Sequence, residues 1–158
     1  MKARSDFVTN SSSSSFIVGF NTEKGSIEEQ LRNEKTLGKY YDKVLSDIKD
    51  NCQYYSLDDA MQEFLESVYY DASSDVYETY EKHIGYKELR QWLDNKDNQK
   101  KMDEAIYKEA LRKIENFWYK IKDCDCFASV EYSDHGNSEL EYEIMPKLSC
   151  TLKRISHH

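Results

Sequence analysis

Phe16-Ile17-Val18-Gly19-Phe20 is the stretch that decides the fold. A short run of large apolar residues is typical of a β-strand that is covered on both faces. Such a strand needs partners, because even a two-stranded hairpin is only marginally stable in water. The sequence therefore predicts that another part of the chain supplies strands that pair with residues 16–20.

Residues 127–145 predict those partners as a β-hairpin. Apolar and polar residues alternate on both sides of a turn-rich connection at 133–138, and alternation is the period of a half-buried strand. Residues 148–153 offer a further strand, with apolar side chains at every second position. The apolar positions are Ala128, Val130, Tyr132, Leu140, Tyr142, Ile144, Leu148, Cys150 and Leu152.

Between these strands, residues 26–122 predict about five to six helices. Apolar residues recur every three or four positions, as on the buried face of an amphipathic helix. Side chains that can cap a helix N-terminus mark three starts, and a glycine marks one end. These are Ser26 with Glu29, Ser56 with Asp59, and Ser74, with Gly85 as the end. The longest helix is expected at about 98–122.

The fold class expected from these patterns is α+β. A small antiparallel sheet would join both ends of one domain, residues 1–158, with the helices packed over it. The domain divides into a serine-rich loop and strand at 1–20, a helical region at 21–122, and a hairpin with a basic tail at 123–158. One proline and five glycines in the chain favour helices over a turn-rich all-β fold.

The charge is unevenly spread. The formal net charge is −8, residues 1–20 carry +1, residues 146–158 carry +3, and residues 21–145 therefore carry −12. No run approaches the roughly 18 apolar residues of a membrane span, and serines follow Lys2 and Arg4 where a signal peptide would be apolar. Four irregularly spaced cysteines do not make a disulfide framework. We expect a cytoplasmic protein with reduced thiols, no membrane contact and no direct binding of nucleic acid.

The N-terminal segment carries a resemblance. Asp6-Phe7-Val8-Thr9-Asn10, five serines and Phe16-Ile17-Val18 resemble a segment that opens many uncharacterised bacterial and phage proteins. The similarity covers about 17 of 158 residues, and no activity comes with it. It implies a phage or mobile-element origin. Small acidic proteins of that origin are often inhibitors of host defence systems.

One candidate site is a ligand site at the two chain ends. Hydroxyl and amide donors can bind an oxyanion, and histidine can act as a general acid or base. If the sheet pairs as predicted, the serine segment lies near the C-terminus. The set is Asn10, Ser11, Ser12, Ser13, Ser14, Ser15, His135, Arg154 and His157. The alternatives are a flexible lead-in and a solvated basic tail.

The second candidate site is an acidic surface that binds a partner. Thirteen tyrosines are interleaved with acidic residues, and tyrosine supplies contact area at low entropic cost. The chosen carboxylates are Asp58, Asp59, Glu63, Glu66, Glu139, Glu141 and Glu143. The last three alternate along the expected hairpin, where a solvated strand face is the alternative interpretation.

Neither a metal nor a cofactor is expected. Cys124-Asp125-Cys126 lacks the spacing of a zinc pair, so we expect free cysteines near the sheet. Two functional hypotheses stay open. The first is a non-catalytic inhibitor that occupies a basic groove of a nucleic-acid-binding protein. The second is a small enzyme or sensor that binds a phosphate or nucleotide ligand at the chain ends.

Overall fold

The computed structural model describes residues 13–157 and confirms an α+β fold. Three antiparallel strands form one sheet: β1 (Ser13–Phe20), β2 (Cys126–Ser133) and β3 (Thr151–His157). The strand order is β2-β1-β3, so the strand predicted at 16–20 is central. Both edge strands come from the C-terminal part of the chain, where the sequence predicts the strands that pair with residues 16–20.

Strand β1 is buried along almost its whole length. Phe16 and Val18 point to one face and Ile17 to the other, and all three are fully buried, so both faces of the strand are covered. Phe16 pairs with Val130 in β2 and with Arg154 in β3. The register then shifts between Ile17 and Val18 on the β3 side.

The hairpin predicted at 127–145 is wrong in its second half. Residues 134–147 form helical turns: α6 (Asp134–Glu139), a π-helical turn (Leu140–Ile144) and a 3₁₀ turn (Met145–Lys147). Leu140 and Ile144 are buried whereas Tyr142 is exposed, which is a four-residue period rather than a two-residue one. Residues spaced by four satisfy both periods, and packing selects the helical one. The further strand predicted at 148–153 begins and ends later, at Thr151–His157.

The helical region contains five α-helices in the described chain. They are α1 (Ile27–Arg32), α2 (Tyr41–Cys52), α3 (Leu57–Ile84), α4 (Tyr86–Trp92) and α5 (Lys96–Ile121), with 3₁₀ turns at Thr22–Lys24 and Lys35–Tyr40. Gly85 ends α3 with φ 87°, a conformation that favours glycine. The helix start predicted at Ser74 is wrong, because α3 runs through it without a break. None of the helices within residues 13–157 has the length and apolar character that crossing a membrane requires.

The described residues divide into two compact units. Unit 1 comprises those within Met1–Gln62 and Lys120–His158, and unit 2 is Glu63–Tyr119. The core of unit 1 packs one face of the sheet against α1, α2 and the turns of 134–147, with Phe16, Val44 and Leu140 among its fully buried residues. The core of unit 2 lies between segments of α3, α4 and α5. Its buried residues are Ala72, Val76, Leu89, Met102, Ile106 and Ala110.

Candidate functional site

The first candidate site lies at the N-terminal end of β1. The sheet pairs Ser13 with Ser133 on one side and with His157 on the other. Successive side chains of a strand point to opposite faces, so Ser14 faces the core of unit 1 while Ser13 and Ser15 face the other way. The serines and the C-terminal strand therefore meet, as the ligand-site hypothesis requires.

On the core side, Ser14 links a cation to a carboxylate. Arg154 Nε donates to Ser14 Oγ over 3.0 Å, and Ser14 Oγ donates to Glu141 Oε1 over 3.0 Å. An Arg154 Nη2 atom also lies 3.8 Å from Glu141 Oε1, and the guanidinium sits 5.2 Å from the centre of the Tyr142 ring. The donors that an anionic ligand would need are thus engaged by a carboxylate of the protein itself.

Glu141 is the least expected member of this group. Its side chain is 0% exposed, and its Oε2 atom has no hydrogen-bond partner in the described structure. We predicted Glu141 as part of an exposed partner surface on a hairpin strand. That placement is wrong, because the π-helical turn directs this side chain inward beside Ser14.

On the opposite side, Ser15 Oγ lies 2.8 Å from His157 Nε2. The same Nε2 atom is 4.0 Å from Glu131 Oε2, which also accepts a 3.4 Å hydrogen bond from Ser13 Oγ. In a serine nucleophile relay, the hydroxyl and the carboxylate bind different ring nitrogens of the histidine. Here both groups approach one nitrogen and Ser15 is buried, so the arrangement lacks the geometry of a hydrolase triad.

The remaining predicted ligand residues are placed as follows. Asn10, Ser11 and Ser12 lie outside the described residues. His135 is exposed in α6, where the backbone departs from helical geometry. Of the predicted set, contacts join Ser14 to Arg154 and Ser15 to His157.

The second candidate site is the acidic surface of α3. From Leu57 to Glu81 the chain carries eight acidic residues and neither lysine nor arginine. The carboxylates are Asp58, Asp59, Glu63, Glu66, Asp71, Asp75, Glu78 and Glu81. This long run of negative charge can be recognised in the sequence. Dividing the segment into two helices at Ser74, as the sequence prediction did, splits the run and obscures it.

Within unit 2, α3 has a buried and an exposed side. Its buried side repeats every four residues, with Phe64, Val68, Ala72 and Val76. Among the exposed residues away from this buried side are six that we name the acidic tyrosine face. They are Leu65, Glu66, Tyr69, Tyr70, Tyr77 and Glu78, and Tyr70 is 76% exposed. Large aromatic side chains thus stand in water among carboxylates.

The other predicted partner residues differ in role. Asp59 caps α3: its carboxylate accepts hydrogen bonds from the Ser56 backbone and hydroxyl, and these bonds lower the pKa of Asp59. Asp58 is exposed, and Glu63 is half-buried. Glu139 and Glu143 are exposed on the helical turns of unit 1. Asp59 therefore has a structural task as well as a charge.

A polar cleft of about 390 Å³ in unit 1 is a feature that the sequence did not indicate. It lies between α2 and β2, and its wall includes Asp47, Asp50 and Glu131. The Tyr132 hydroxyl donates to Asp47 over 2.8 Å, and burial together with this bond raises the pKa of Tyr132 well above its usual range. Asn51 accepts a hydrogen bond from the backbone of Ser129, so α2 covers part of the free edge of β2.

The cysteines are free thiols in this structure. Burial raises the pKa of Cys126 to about 11 and that of Cys150 to about 12, so both are protonated near neutral pH. In the part of the chain from Ser13 to His157, no three His, Cys, Asp or Glu side chains are arranged to hold a metal ion. No protein-family model, curated protein or solved structure matches the chain.

Proposed function

We propose that the protein is a non-catalytic binding protein whose acidic tyrosine face contacts a basic surface of another protein. The observation that carries this proposal is the exposure of Leu65, Tyr69 and Tyr70 beside Glu66 on a helix segment with no basic residue before Lys82. Folding gains nothing from leaving such large side chains in water. A partner that covers them would gain their apolar area.

The charge and the aromatic residues have separate tasks in this proposal. Carboxylates along α3 attract a basic partner over several ångströms and raise the rate of encounter. Tyrosines then supply the contact area, since they lose little side-chain entropy on binding and are enriched among the residues that dominate interface energies. Carboxylates alone would give an attraction that salt readily screens.

We extend the proposal to the class of partner. A helix that presents one carboxylate after another can occupy a groove that otherwise holds a row of phosphates. The partner would then be a nucleic-acid-binding protein, and the chain its inhibitor. The N-terminal resemblance suggests that this partner belongs to a host defence system that targets nucleic acid. The extended proposal is supported by that resemblance and by the negative charge of α3.

The alternative proposal is an enzyme or sensor that binds a phosphate or nucleotide at the end of β1. Its support is the contact of Ser14 with Arg154 and of Ser15 with His157. Charge weighs against it, because the carboxylates of Glu141 and Glu131 lie next to Arg154 and His157 themselves. A thermal-shift screen with inorganic phosphate and with nucleotides separates the two, since a ligand at 100 times its dissociation constant stabilises by about 2.7 kcal/mol.

The binding proposal is tested by capture with matched charge variants. The tagged chain is incubated with bacterial extract, and bound proteins are identified by mass spectrometry. We expect a basic nucleic-acid-binding protein that about 1 M salt releases, where the screening length falls to about 3 Å. Glu66→Lys with Glu78→Lys should abolish capture. Glu139→Lys with Glu143→Lys changes the net charge equally on unit 1 and should leave it intact.

A second readout addresses the tyrosines. Tyr70→Ala should weaken the affinity for the captured protein at least about five-fold, the effect of losing more than 1 kcal/mol at an interface hot spot. Added double-stranded DNA should compete with the chain for that protein. Equal loss of capture in both double-lysine variants would show that capture depends only on the net charge of the chain. That result would exclude the acidic tyrosine face as the binding site.

A further inference from the structure

Helix α5 exposes a line of mostly apolar side chains that belongs neither to the buried core of unit 2 nor to the acidic tyrosine face. Tyr107, Leu111 and Trp118 are 64%, 47% and 50% exposed, and Ile114 between them is half-buried. The four lie at spacings of four, three and four residues, which places them in one line along the helix. We name them the α5 stripe.

The α5 stripe is separate from the side of the helix that packs inside unit 2. That side consists of Met102, Ile106, Ala110 and Phe117, which are all buried. Helix α5 therefore has two apolar lines, whereas a helix that only covers a core needs one. Alternate spacings of three and four are those of the seam between two paired helices.

The α5 stripe is symmetric along the helix. Tyr107 and Trp118 are equally far from the point between residues 112 and 113, and so are Leu111 and Ile114. If a second α5 lies antiparallel across this point, Tyr107 of each copy meets Trp118 of the other. Leu111 of each copy then meets Ile114. Large side chains pair at both ends of the contact and aliphatic ones at its centre.

The charges beside the α5 stripe have approximately the same symmetry. Lys108 and Glu115 are exposed and lie two helical turns apart on one flank, and their midpoint is one residue from the point between residues 112 and 113. In the antiparallel arrangement Lys108 of each copy faces Glu115 of the other, which gives two equivalent ion pairs. In a parallel arrangement the flank that carries Lys108 and Glu115 would face the opposite flank of the second helix, so neither ion pair would form. Charge complementarity thus selects both the partner and its direction.

We propose that the α5 stripe is a two-fold symmetric interface at which a second copy of this chain docks, with its α5 antiparallel to the first. Such a contact is isologous, the commonest kind in homodimers, because one self-complementary patch serves both subunits. Two copies would bury the Trp118 and Leu111 side chains that the single chain exposes. The proposal is independent of the acidic tyrosine face.

Sedimentation equilibrium of the purified full chain tests the proposal. The mass should rise with concentration from 18.7 kDa towards about twice that value. Leu111→Glu should hold it at the single-chain mass. Leu57→Glu is the matched control, because Leu57 on α3 is also exposed, at 38%, and lies outside the acidic tyrosine face, and it should leave the association unchanged. Circular dichroism confirms that both variants stay folded.

A charge swap tests the direction of the helices. Lys108→Glu or Glu115→Lys alone should weaken self-association at low salt, since each opposes like charges in both pairs. The double variant should restore it, because both pairs re-form with reversed polarity. A wild-type mass that stays at one chain at every concentration would overturn the proposal. Association that survives Leu111→Glu, or a double variant no better than the singles, would also overturn it.

Discussion

The Ser14 hydroxyl donates a 3.0 Å hydrogen bond to Oε1 of Glu141, a residue 127 positions further along the chain. Both side chains are fully buried, and Arg154 donates in turn to the same hydroxyl. The uncharged Ser14 hydroxyl thus donates directly to one oxygen of a buried carboxylate. The other oxygen, Oε2, has no hydrogen-bond partner in the described structure. The serine-rich entry to β1 has at least one structural task.

Ser14→Ala should therefore destabilise the protein more than its conservative character suggests. Removing the hydroxyl leaves a buried carboxylate oxygen short of a donor, which costs about 1–3 kcal/mol. Ser13→Ala is the control on the same strand, because within the described residues the Ser13 hydroxyl bonds to exposed Glu131 at 3.4 Å, and it should cost less than about 0.5 kcal/mol. Urea unfolding measures both. Equal losses would contradict a special role for Ser14.

Gly19→Ala should also destabilise the sheet. A Cβ atom at Gly19 would lie 2.7 Å from Leu152 Cδ1 and 2.9 Å from Cys124 Sγ, and overpacking of this kind costs about 1–3 kcal/mol. Leu152→Val shortens one of the opposing side chains. The double variant should lose less free energy of unfolding than the two single losses added together. Strict additivity would show that Leu152 does not limit the space at Gly19.

The N-terminal cap of α3 can be distinguished from a mid-helix serine. Ser56→Ala removes the hydroxyl that accepts from the Asp59 backbone at 3.2 Å, and loss of such a cap costs about 1 kcal/mol. Ser74→Ala should instead stabilise by up to about 0.5 kcal/mol, since alanine is the better helix former at an exposed interior position. Both are read from urea midpoints. A loss at Ser74 would contradict a continuous α3.

Stability should fall at alkaline pH in part through Cys150. Burial raises the pKa of Cys150 from 9.0 to about 12, so folding disfavours its thiolate. That contribution is complete below about pH 9 and is lost as the pH rises towards 12. Cys150→Ala cannot titrate. Its deficit in free energy of unfolding should be constant from about pH 7 to 9 and should narrow above pH 9, in urea titrations with reductant present.

A constant deficit up to about pH 11 would exclude Cys150 as a source of the alkaline loss. Cys126 and Tyr132 have raised pKa values through burial as well, so the variant should retain part of the loss. The change of slope is therefore the quantity that identifies Cys150, because one titrating group accounts for at most one proton.

The features that the sequence predicted correctly are those that neighbouring residues determine. Ser26 with Glu29 forms the expected capping box, and Ser56 with Asp59 caps α3, because these bonds join residues three apart. Gly85 ends α3 for an equally local reason. The strand at 16–20 was predictable because a short apolar run has few other uses. The negative charge of α3 likewise follows directly from its residue types.

The features that only the tertiary structure decided depend on distant residues. The spacing of Leu140 and Ile144 fits a strand as well as a helix. Their packing in the core of unit 1 selected the helical turns. That choice turned Glu141 inward, from the expected surface to the hydroxyl of Ser14. Composition cannot locate a contact across 127 residues, because it arises from strand order and not from spacing. The sequence alone thus determined which segments are helix formers, strand formers and acidic, whereas packing decided which of their side chains meet.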